Sequence, residues 1–313
     1  MKTIDGRGRS GQNGPLQMTK IYVKLILTTL FWGGTFVAGK VAAQNVGPFS
    51  IGFLRFAIAS TLLLALTWKI EGRLPAPKRS QIVPIILLGL IGIGLYNVMF
   101  YKGLKIIEAS RASLIIATCP IFIAIFSSLL LKEKMTLLKA LGIVISVCGA
   151  TVVISKGDLS QVISQGLGRG ELYILVCVLS WATYSLIGKS VMKDISPLAA
   201  VSYSSLVGAI ALLVPACFEG LIGNIPHQSA VDWLCISYLG IFGTVIGFVW
   251  YYEGVESLGP TKAGLFINFV PIFAILCACV ILREQITFSL AVGAALVTSG
   301  VYLTNRTPKA SPA

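Results

Sequence analysis

Residues 110–136 read SRASLIIATCPIFIAIFSSLLLKEKMT, and residues 261–287 read TKAGLFINFVPIFAILCACVILREQIT. Each stretch is an apolar run of about the length that crosses a bilayer, followed by a basic residue and a glutamate. The positions that match at a spacing of 151 residues include Ala112/Ala263, Leu114/Leu265, Pro120/Pro271 and Glu133/Glu284. Two copies of one apolar unit in a single chain indicate an internal duplication, which decides the fold.

The repeat extends on both sides of these stretches. At the same spacing, Tyr101, Gly103, Gly142 and Gly149 match Tyr252, Gly254, Gly293 and Gly300. At a spacing of 149 residues, Leu30, Trp32, Gly39, Lys40 and Pro48 match Leu179, Trp181, Gly188, Lys189 and Pro197. Because Trp, Pro and Gly recur in register over several apolar runs, a duplication is favoured over chance similarity.

The composition is that of a membrane protein. Hydrophobic residues make up 56% of the 313 residues and charged residues 12%, with a mean hydropathy of +0.86. Soluble domains carry roughly a quarter charged residues, so most of this chain is suited to lipid. Runs of about 20 apolar residues predict an all-α integral membrane protein with ten transmembrane helices. The predicted spans lie near residues 21–42, 49–68, 81–101, 110–131, 138–155, 171–191, 197–218, 232–252, 262–282 and 287–304.

Each half holds five predicted spans, and an odd number makes the second half enter the membrane from the opposite side. The predicted fold is therefore two inverted five-helix repeats, residues 21–155 and 171–304. Residues 1–20 are Gly-rich, polar and basic, and are predicted to form a disordered cytoplasmic tail. Residues 305–313 are predicted to be a second cytoplasmic tail. Inverted repeats allow inward-open and outward-open arrangements, which is the basis of alternating access.

The net charge of +13 comes from short basic clusters between apolar runs, so a nucleic-acid partner is not predicted. Positively charged loops are retained in the cytoplasm. With the amino terminus inside, seventeen of the 25 Lys and Arg residues fall on the cytoplasmic side. Seven fall on the other side, with Arg55 inside a span: Lys40, Lys102, Lys105, Arg111, Lys156, Arg169 and Arg283. Both termini are thus predicted to be cytoplasmic, in a multi-pass protein of a bacterial inner membrane.

The first span contains LFWGGTFVAGK at residues 30–40. Together with the two stretches quoted above, it resembles the drug/metabolite transporter superfamily, and specifically its EamA-like branch of ten-helix transporters. The resemblance covers roughly residues 25 to 304. It implies a carrier that exports a small metabolite, since members of the family export amino acids, nucleotide-like metabolites, drugs and other solutes. A small-molecule solute and the lipid bilayer are the partners it implies, and a homodimer is left open.

Aromatic and amide side chains within the spans are the candidate substrate-binding residues. A cavity lined by such groups binds solutes through stacking and hydrogen bonds, although Trp and Tyr also form interfacial belts. Tyr101, at a span end, is equally open to the belt interpretation, and Asn268 could instead bridge helices. The candidates are Trp32, Asn97, Tyr101, Trp181, Tyr184, Tyr203, Trp250, Tyr251 and Asn268, with Arg55 added for its depth.

Arg55 lies about two turns inside the second span, where a charge is costly. It could attract an anionic group such as a substrate carboxylate, or its side chain could reach outward to the surface. Lys40 and Lys189 occupy matching span ends and are expected to be anchors that reach the surface. Pro120 and Pro271 lie mid-span, where proline kinks a helix, and each could be a hinge or a static bend.

Other function classes find little support in the sequence. No phosphate-binding GxxxxGK[ST] motif is present, which excludes an ATP-driven pump within this chain. An enzyme would need clustered nucleophile, base or metal ligands in the spans, and no catalytic residue, cofactor or metal is predicted. No carboxylate lies mid-span and the single histidine, His227, falls in a predicted loop, so no proton relay is predicted. A channel would show a filter motif, while a non-transporting scaffold or receptor remains as an alternative.

Overall fold

The computed structural model of the protein describes residues 15–131, 136–158, 167–191, 195–258 and 266–305. Most of the two predicted tails, at residues 1–14 and 306–313, lies outside the described residues. The first helix begins at Pro15, so the end of the predicted amino-terminal tail is helical. Proline suits the first turn of a helix because its fixed backbone angle is already helical and no N–H partner is needed there.

The described residues are almost entirely helical. Helices of the first half are α1 (Pro15–Asn45), α2 (Pro48–Glu71), α3 (Arg79–Leu87), α4 (Tyr96–Ile106), α5 (Ala109–Ile116), α6 (Cys119–Leu131) and α7 (Leu137–Ile154). Those of the second half are α8 (Arg169–Val191), α9 (Pro197–Phe218), the short α10 (Leu221–Asn224), α11 (Ala230–Gly240), α12 (Gly247–Leu258), α13 (Val270–Cys277) and α14 (Phe288–Asn305). Five further segments, which are π-helical or 3-10, join or extend these helices: Leu88–Leu95, Ile225–His227, Ile241–Ile246, Ile267–Phe269 and Ala278–Leu282.

Apolar helices are abundant enough for a multi-pass membrane protein. Seven described helices are long and apolar enough to cross a bilayer: Met18–Asn45, Pro48–Glu71, Arg79–Ile106, Leu137–Ile154, Arg169–Gly188, Pro197–Phe218 and Ala230–Gly254. Three shorter apolar helices are Ala109–Ile123, Ile267–Leu282 and Phe288–Thr304. Large apolar side chains such as Val144, Ile210 and Val280 are exposed on the outside of the bundle, as expected of surfaces that face lipid rather than water.

Residues of both halves build the largest buried cluster. Phe36 and Phe100 of the first half pack with Ile174 and Leu239 of the second, all nearly inaccessible. Since the cluster interleaves the halves, they form a single bundle around shared contacts.

Helices α2 and α9, which begin at the repeat-matched Pro48 and Pro197, pack against each other in opposite directions. At one end, the hydroxyl of Ser196 before α9 donates to the carboxylate of Glu71, the last residue of α2. At the other end, Glu219 after α9 accepts hydrogen bonds from the backbone N–H (2.8 Å) and hydroxyl (2.7 Å) of Ser50. A carboxylate at a helix amino terminus satisfies N–H groups that the helix itself leaves free. Glu219 thus caps the start of α2, whereas α9 is capped by the Ser196 hydroxyl, which accepts from the N–H of Ala199 and is held by Glu71.

Helices α7 and α14 also pack antiparallel, and glycines allow their close approach. A Cβ added to Gly142 would stand 2.6 Å from the carbonyl oxygen of Gly300. One added to Gly149 would stand 2.9 Å from the carbonyl oxygen of Gly293. Small residues let transmembrane helices approach until their backbones touch. Because Gly142 matches Gly293 and Gly149 matches Gly300 in the repeat, the two helices present equivalent surfaces to each other.

We expect Gly142→Leu to lower the stability of the folded protein by about 1–3 kcal/mol, the usual cost of overpacking. Its side chain would have to displace the backbone of α14. Thermal unfolding in detergent, followed by intrinsic fluorescence, measures the effect. Gly223→Leu is the matched control, because nothing lies within 4 Å of a Cβ at Gly223. Equal losses in both variants would show that the glycine contact is not the cause.

Candidate functional site

A cavity of about 210 Å³ lies in the middle of the bundle and is lined by residues of both halves. It is smaller than the roughly 300–1,000 Å³ of sites that hold drug-sized ligands. Of the ten sequence candidates, six line this cavity: Trp32, Arg55, Asn97, Trp181, Tyr184 and Asn268. Pro120 and Pro271 line it as well. The cavity is therefore the place where most of the candidate side chains meet, although their binding role stays a prediction.

The other four candidates lie away from the cavity. Tyr101 is 1% exposed, and its hydroxyl accepts a hydrogen bond from Arg55. The belt interpretation of this residue is therefore wrong. Tyr203 donates its hydroxyl to the carbonyl of Pro75 at 2.9 Å. Trp250 packs against Phe31 and lies under the ammonium group of Lys24. Tyr251 supports the cavity wall indirectly, since its ring contacts that of Trp32 with centroids 5.4 Å apart.

Two π-helical segments occupy equivalent places in the halves and contribute to the cavity. They are Leu88–Leu95 and Ile241–Ile246, and their glycines Gly92 and Gly243, 151 residues apart, both line it. A Cβ at Gly92 would overlap the ring of Tyr184, so glycine is needed for the aromatic wall to approach. Isolated π-helical turns are frequent at functional sites.

Sequence reasoning missed these segments. The signal was present as the pattern Leu-Gly-x-x-Gly at Leu88–Gly92 and again at residues 239–243. Hydropathy does not distinguish α from π winding, so this pattern did not predict the segments.

Pro120 and Pro271 each lie in the first turn of an α-helical segment. Helix α5 ends at Ile116 and α6 begins at Cys119, which puts Pro120 in the first turn of α6. Pro271 follows the 3-10 segment and lies in the first turn of α13. A proline in a first turn forfeits no helical hydrogen bond. Before Pro120 the α-helix is interrupted at residues 117–118, whereas before Pro271 the 3-10 segment runs directly into α13. Whether either site acts as a hinge stays a prediction.

Arg55 is buried, with 8% of its surface exposed, and does not reach outward to the membrane surface. Its Nε donates to Thr244 Oγ1 at 3.1 Å, and its Nη1 donates to Asn97 Oδ1 at 3.1 Å and to the Tyr101 hydroxyl at 3.3 Å. The ring of Phe56 lies 5.1 Å from the guanidinium carbon. Asn97 is itself fixed by donating to the carbonyl of Ile93 at 2.8 Å. The guanidinium is therefore held in place at the cavity wall.

Aromatic rings form much of the remaining wall. Trp181 stacks on Tyr184 with ring centroids 5.4 Å apart at 24°, and contacts Tyr96 at 5.7 Å. Across the repeat, Trp32 donates its indole N–H to the carbonyl of Gly243 at 3.0 Å. The matched tryptophans thus both face the cavity. The indole N–H of Trp32 is used by a π-helical carbonyl, whereas that of Trp181 makes no hydrogen bond to the described residues.

One end of the bundle is closed by helix caps, and we call it the capped face. Glu284 accepts hydrogen bonds from the backbone N–H groups of Ala109 (2.8 Å) and Ser110 (3.0 Å) and from the Ser110 hydroxyl (2.6 Å). Lys40, expected to be a surface anchor, instead donates to the carbonyls of Leu104 (3.1 Å) and Ile107 (2.6 Å). These carbonyls lie where α4 ends and lack helical partners. The side chain of the matching Lys189 lies outside the described part of the chain.

Comparison with known proteins places the chain in a family of transporters. The family profile described as "EamA-like transporter family" matches residues 19–155 and again residues 168–306. A Bacillus subtilis (strain 168) protein named "Uncharacterized transporter YyaM" is 30% identical over 281 residues, which cover 90% of this chain and 92% of that protein. An "Uncharacterized transporter" of Archaeoglobus fulgidus is 30% identical over 289 residues, covering 92% of this chain and 99% of its own.

More distant matches have the same extent along this chain. A chloroplastic "WAT1-related protein" of Arabidopsis thaliana is 26% identical over 290 residues, which cover 90% of this chain and 68% of the plant protein. A solved structure titled "Crystal structure of protein" superposes with a TM-score of 0.61 at 18% identity, covering 91% of this chain and 98% of that one. At that identity, the structural match shows a shared fold alone.

The two cavity asparagines should differ in their effect on stability. We expect Asn97→Ala to destabilise the protein by about 1–3 kcal/mol, because it removes a buried hydrogen-bond partner of Arg55. Asn268→Ala should stay within about 0.5 kcal/mol, because the half-buried Asn268 amide makes no hydrogen bond to the described residues. Thermal unfolding of the two variants in one detergent provides the comparison. A similar loss in both would assign Asn268 to helix bridging.

Proposed function

Because the chain belongs to the EamA-like transporter family, we propose that this multi-pass membrane protein is a secondary carrier. In this proposal it moves a small metabolite by alternating access between two inverted five-helix repeats, residues 21–155 and 171–304, with all ten apolar helices crossing the bilayer. The observation that carries the proposal is the cavity at the centre of the bundle. It is lined from both halves and bordered by helix irregularities at matching positions, as carrier sites are.

The packing of matched helices supports inversion of the repeat. Helices α2 and α9 are counterparts in the duplication, yet they run in opposite directions, as the contacts of Glu71 and Glu219 require. The counterparts α7 and α14 are antiparallel too. Inverted repeats are related by a pseudo-two-fold axis lying in the membrane plane, which requires counterparts of this kind to run antiparallel. Such an axis exchanges the two sides of the membrane and so relates an inward-open to an outward-open state.

The contacts at the capped face support the proposal that the cavity is closed on that side. Its contacts join Glu284 and Ser110, from different halves, and Glu219 and Ser50, also from different halves. Opening the cavity toward this face requires at least some of these charge-assisted hydrogen bonds to break. The structure therefore fits a state in which the cavity is closed on the side where the capped face lies.

The size and lining of the cavity favour a small metabolite over a bulky drug. Export from the cytoplasm, the direction common in the family that the chain resembles, is part of the proposal, as are cytoplasmic termini and a bacterial inner membrane.

No carboxylate lines the cavity among the described residues. Solute exchange or facilitated diffusion therefore needs fewer assumptions than proton coupling. By size alone an amino acid or a related solute is a candidate, and its carboxylate rather than its ammonium group would find a partner among the described lining residues.

Flux in proteoliposomes tests the carrier proposal directly. We expect the protein to accelerate exchange of at least one class in a panel of labelled metabolites, compared with protein-free vesicles. Gly92→Leu should abolish that flux, because its side chain would enter the space of the Tyr184 ring, whereas Gly223→Leu should retain it. Folded wild-type protein that moves no class of solute would rule out the carrier.

The capped face offers a second test. We expect Glu284→Gln to weaken the cap at the start of α5, because it replaces a charged acceptor at a helix amino terminus by a neutral one. Hydrogen exchange of the Ala109 and Ser110 amides should become several-fold faster. Glu71→Gln, which alters the contact with Ser196 at the opposite end, should leave these two amides unchanged. Unaltered protection in Glu284→Gln would show that this contact does not hold the face closed.

A further inference from the structure

The charge of the central cavity is carried by one side chain. Among the described residues that line it, Arg55 is charged and no aspartate or glutamate is present. No carboxylate of the described residues forms an ion pair with Arg55. An uncompensated buried guanidinium is costly. Its burial beside the cavity favours an anion that no described residue supplies.

The hydrogen bonds of Arg55 leave one of its nitrogens for a ligand. Thr244 takes the Nε–H, while Asn97 and Tyr101 take the two N–H groups of Nη1. The two N–H groups of Nη2 make no hydrogen bond to the described residues. Three neutral side chains therefore fix the orientation of the Arg55 guanidinium. Its remaining N–H donors are available at the cavity wall. Preorganisation of this kind lowers the entropic cost of binding.

Other unused polar groups at the cavity can donate hydrogen bonds. The Ser205 hydroxyl is fully buried, lines the cavity and has no partner in the described part of the chain. The Trp181 indole N–H and the Asn268 amide are also without hydrogen-bond partners among the described residues. An ionised carboxylate only accepts hydrogen bonds. Hydrogen-bond donors placed around the fixed guanidinium therefore suit a carboxylate ligand. A ligand with an ammonium group would find no carboxylate among the described lining residues.

The rest of the cavity wall indicates which kind of group is attached to the anionic group of the ligand. Trp32, Tyr96 and Trp181 present aromatic surface, which suits a flat or apolar body. The volume of about 210 Å³ limits that body to a small one. We propose that the cavity binds a small organic carboxylate, with its anionic group on Nη2 of Arg55 and its apolar part against the aromatic wall. This substrate class rests on the proposed carrier function for its physiological role.

Equilibrium binding to the full chain in detergent tests the proposal without requiring flux. The probes are acetate, butyrate, benzoate and phenylacetate, each compared with its own primary amide, with phenethylamine as the cationic analogue of phenylacetate. Apparent affinities come from the concentration dependence of the thermal unfolding midpoint. We expect at least one aromatic carboxylate to bind about tenfold or more tightly than its amide, as a charge-assisted hydrogen bond implies, and phenethylamine to bind more weakly still.

Variants connect the preference to Arg55. Arg55→Gln should remove the preference for carboxylate over amide, and Arg55→Lys should retain only part of it, because lysine keeps the charge but loses the fixed fork. Arg73→Gln, at an exposed arginine between α2 and α3, is the matched control and should bind as the wild type does. An equal carboxylate preference in Arg55→Gln would overturn the proposal. Should the Arg55 variants fail to fold, the wild-type comparison decides, since no carboxylate exceeding its amide would also overturn it.

The outcomes separate the site from the carrier. Carboxylate-selective binding that depends on Arg55, without flux of any solute, would support the anion site and remove the transport function. Flux of neutral or cationic solutes that Arg55→Gln leaves unchanged would support the carrier and overturn the anion site.

Discussion

Backbone hydrogen bonding in an apolar surrounding is the constraint on which the rest of this structure depends. In hydrocarbon, every N–H and C=O must find a partner inside the protein, and a helix leaves four of each unsatisfied at its ends. This chain meets part of the demand with side chains, and two of the three, Glu284 and Glu219, come from the opposite half. Glu284 caps the start of α5, Glu219 caps the start of α2, and Lys40 binds the last carbonyls of α4. The helix ends therefore tie the two halves together.

The same constraint explains where the helices are irregular. Winding changes at the π-helical segments Leu88–Leu95 and Ile241–Ile246, the α-helix is interrupted at residues 117–118 before Pro120, and a 3-10 segment precedes Pro271. These four irregularities border the central cavity, where buried side chains or solvent can satisfy the freed groups, whereas the π-helical segment Ala278–Leu282 does not line it. The Trp32 indole bonded to the carbonyl of Gly243 is one such case. Because the duplication places an irregularity in each half, the cavity acquires a matched lining from both sides.

Sequence alone predicted the fold class better than the site. Duplication, apolar spans and the cavity aromatics Trp32 and Trp181 could be predicted, since each depends on composition or on matches within the chain. The environment of Arg55 could not be predicted, because its partners Asn97 and Thr244 come from different halves and meet only when the halves pack together. Tyr101 was left open between the site and the interfacial belt because its position could not be predicted either. A residue at a span end can face lipid or the core, and hydropathy does not indicate which.

The polar residues around Arg55 are of two kinds. Asn97 uses its amide within the protein, with its oxygen on Arg55 and its nitrogen on Ile93. Asn268 and Ser205 line the same cavity with polar groups that no described residue satisfies. Residues of the first kind stabilise the fold, while an unsatisfied buried polar group of the second kind costs free energy. The proposed carrier would need both, since a cavity whose polar groups were all satisfied internally would have little reason to select a solute.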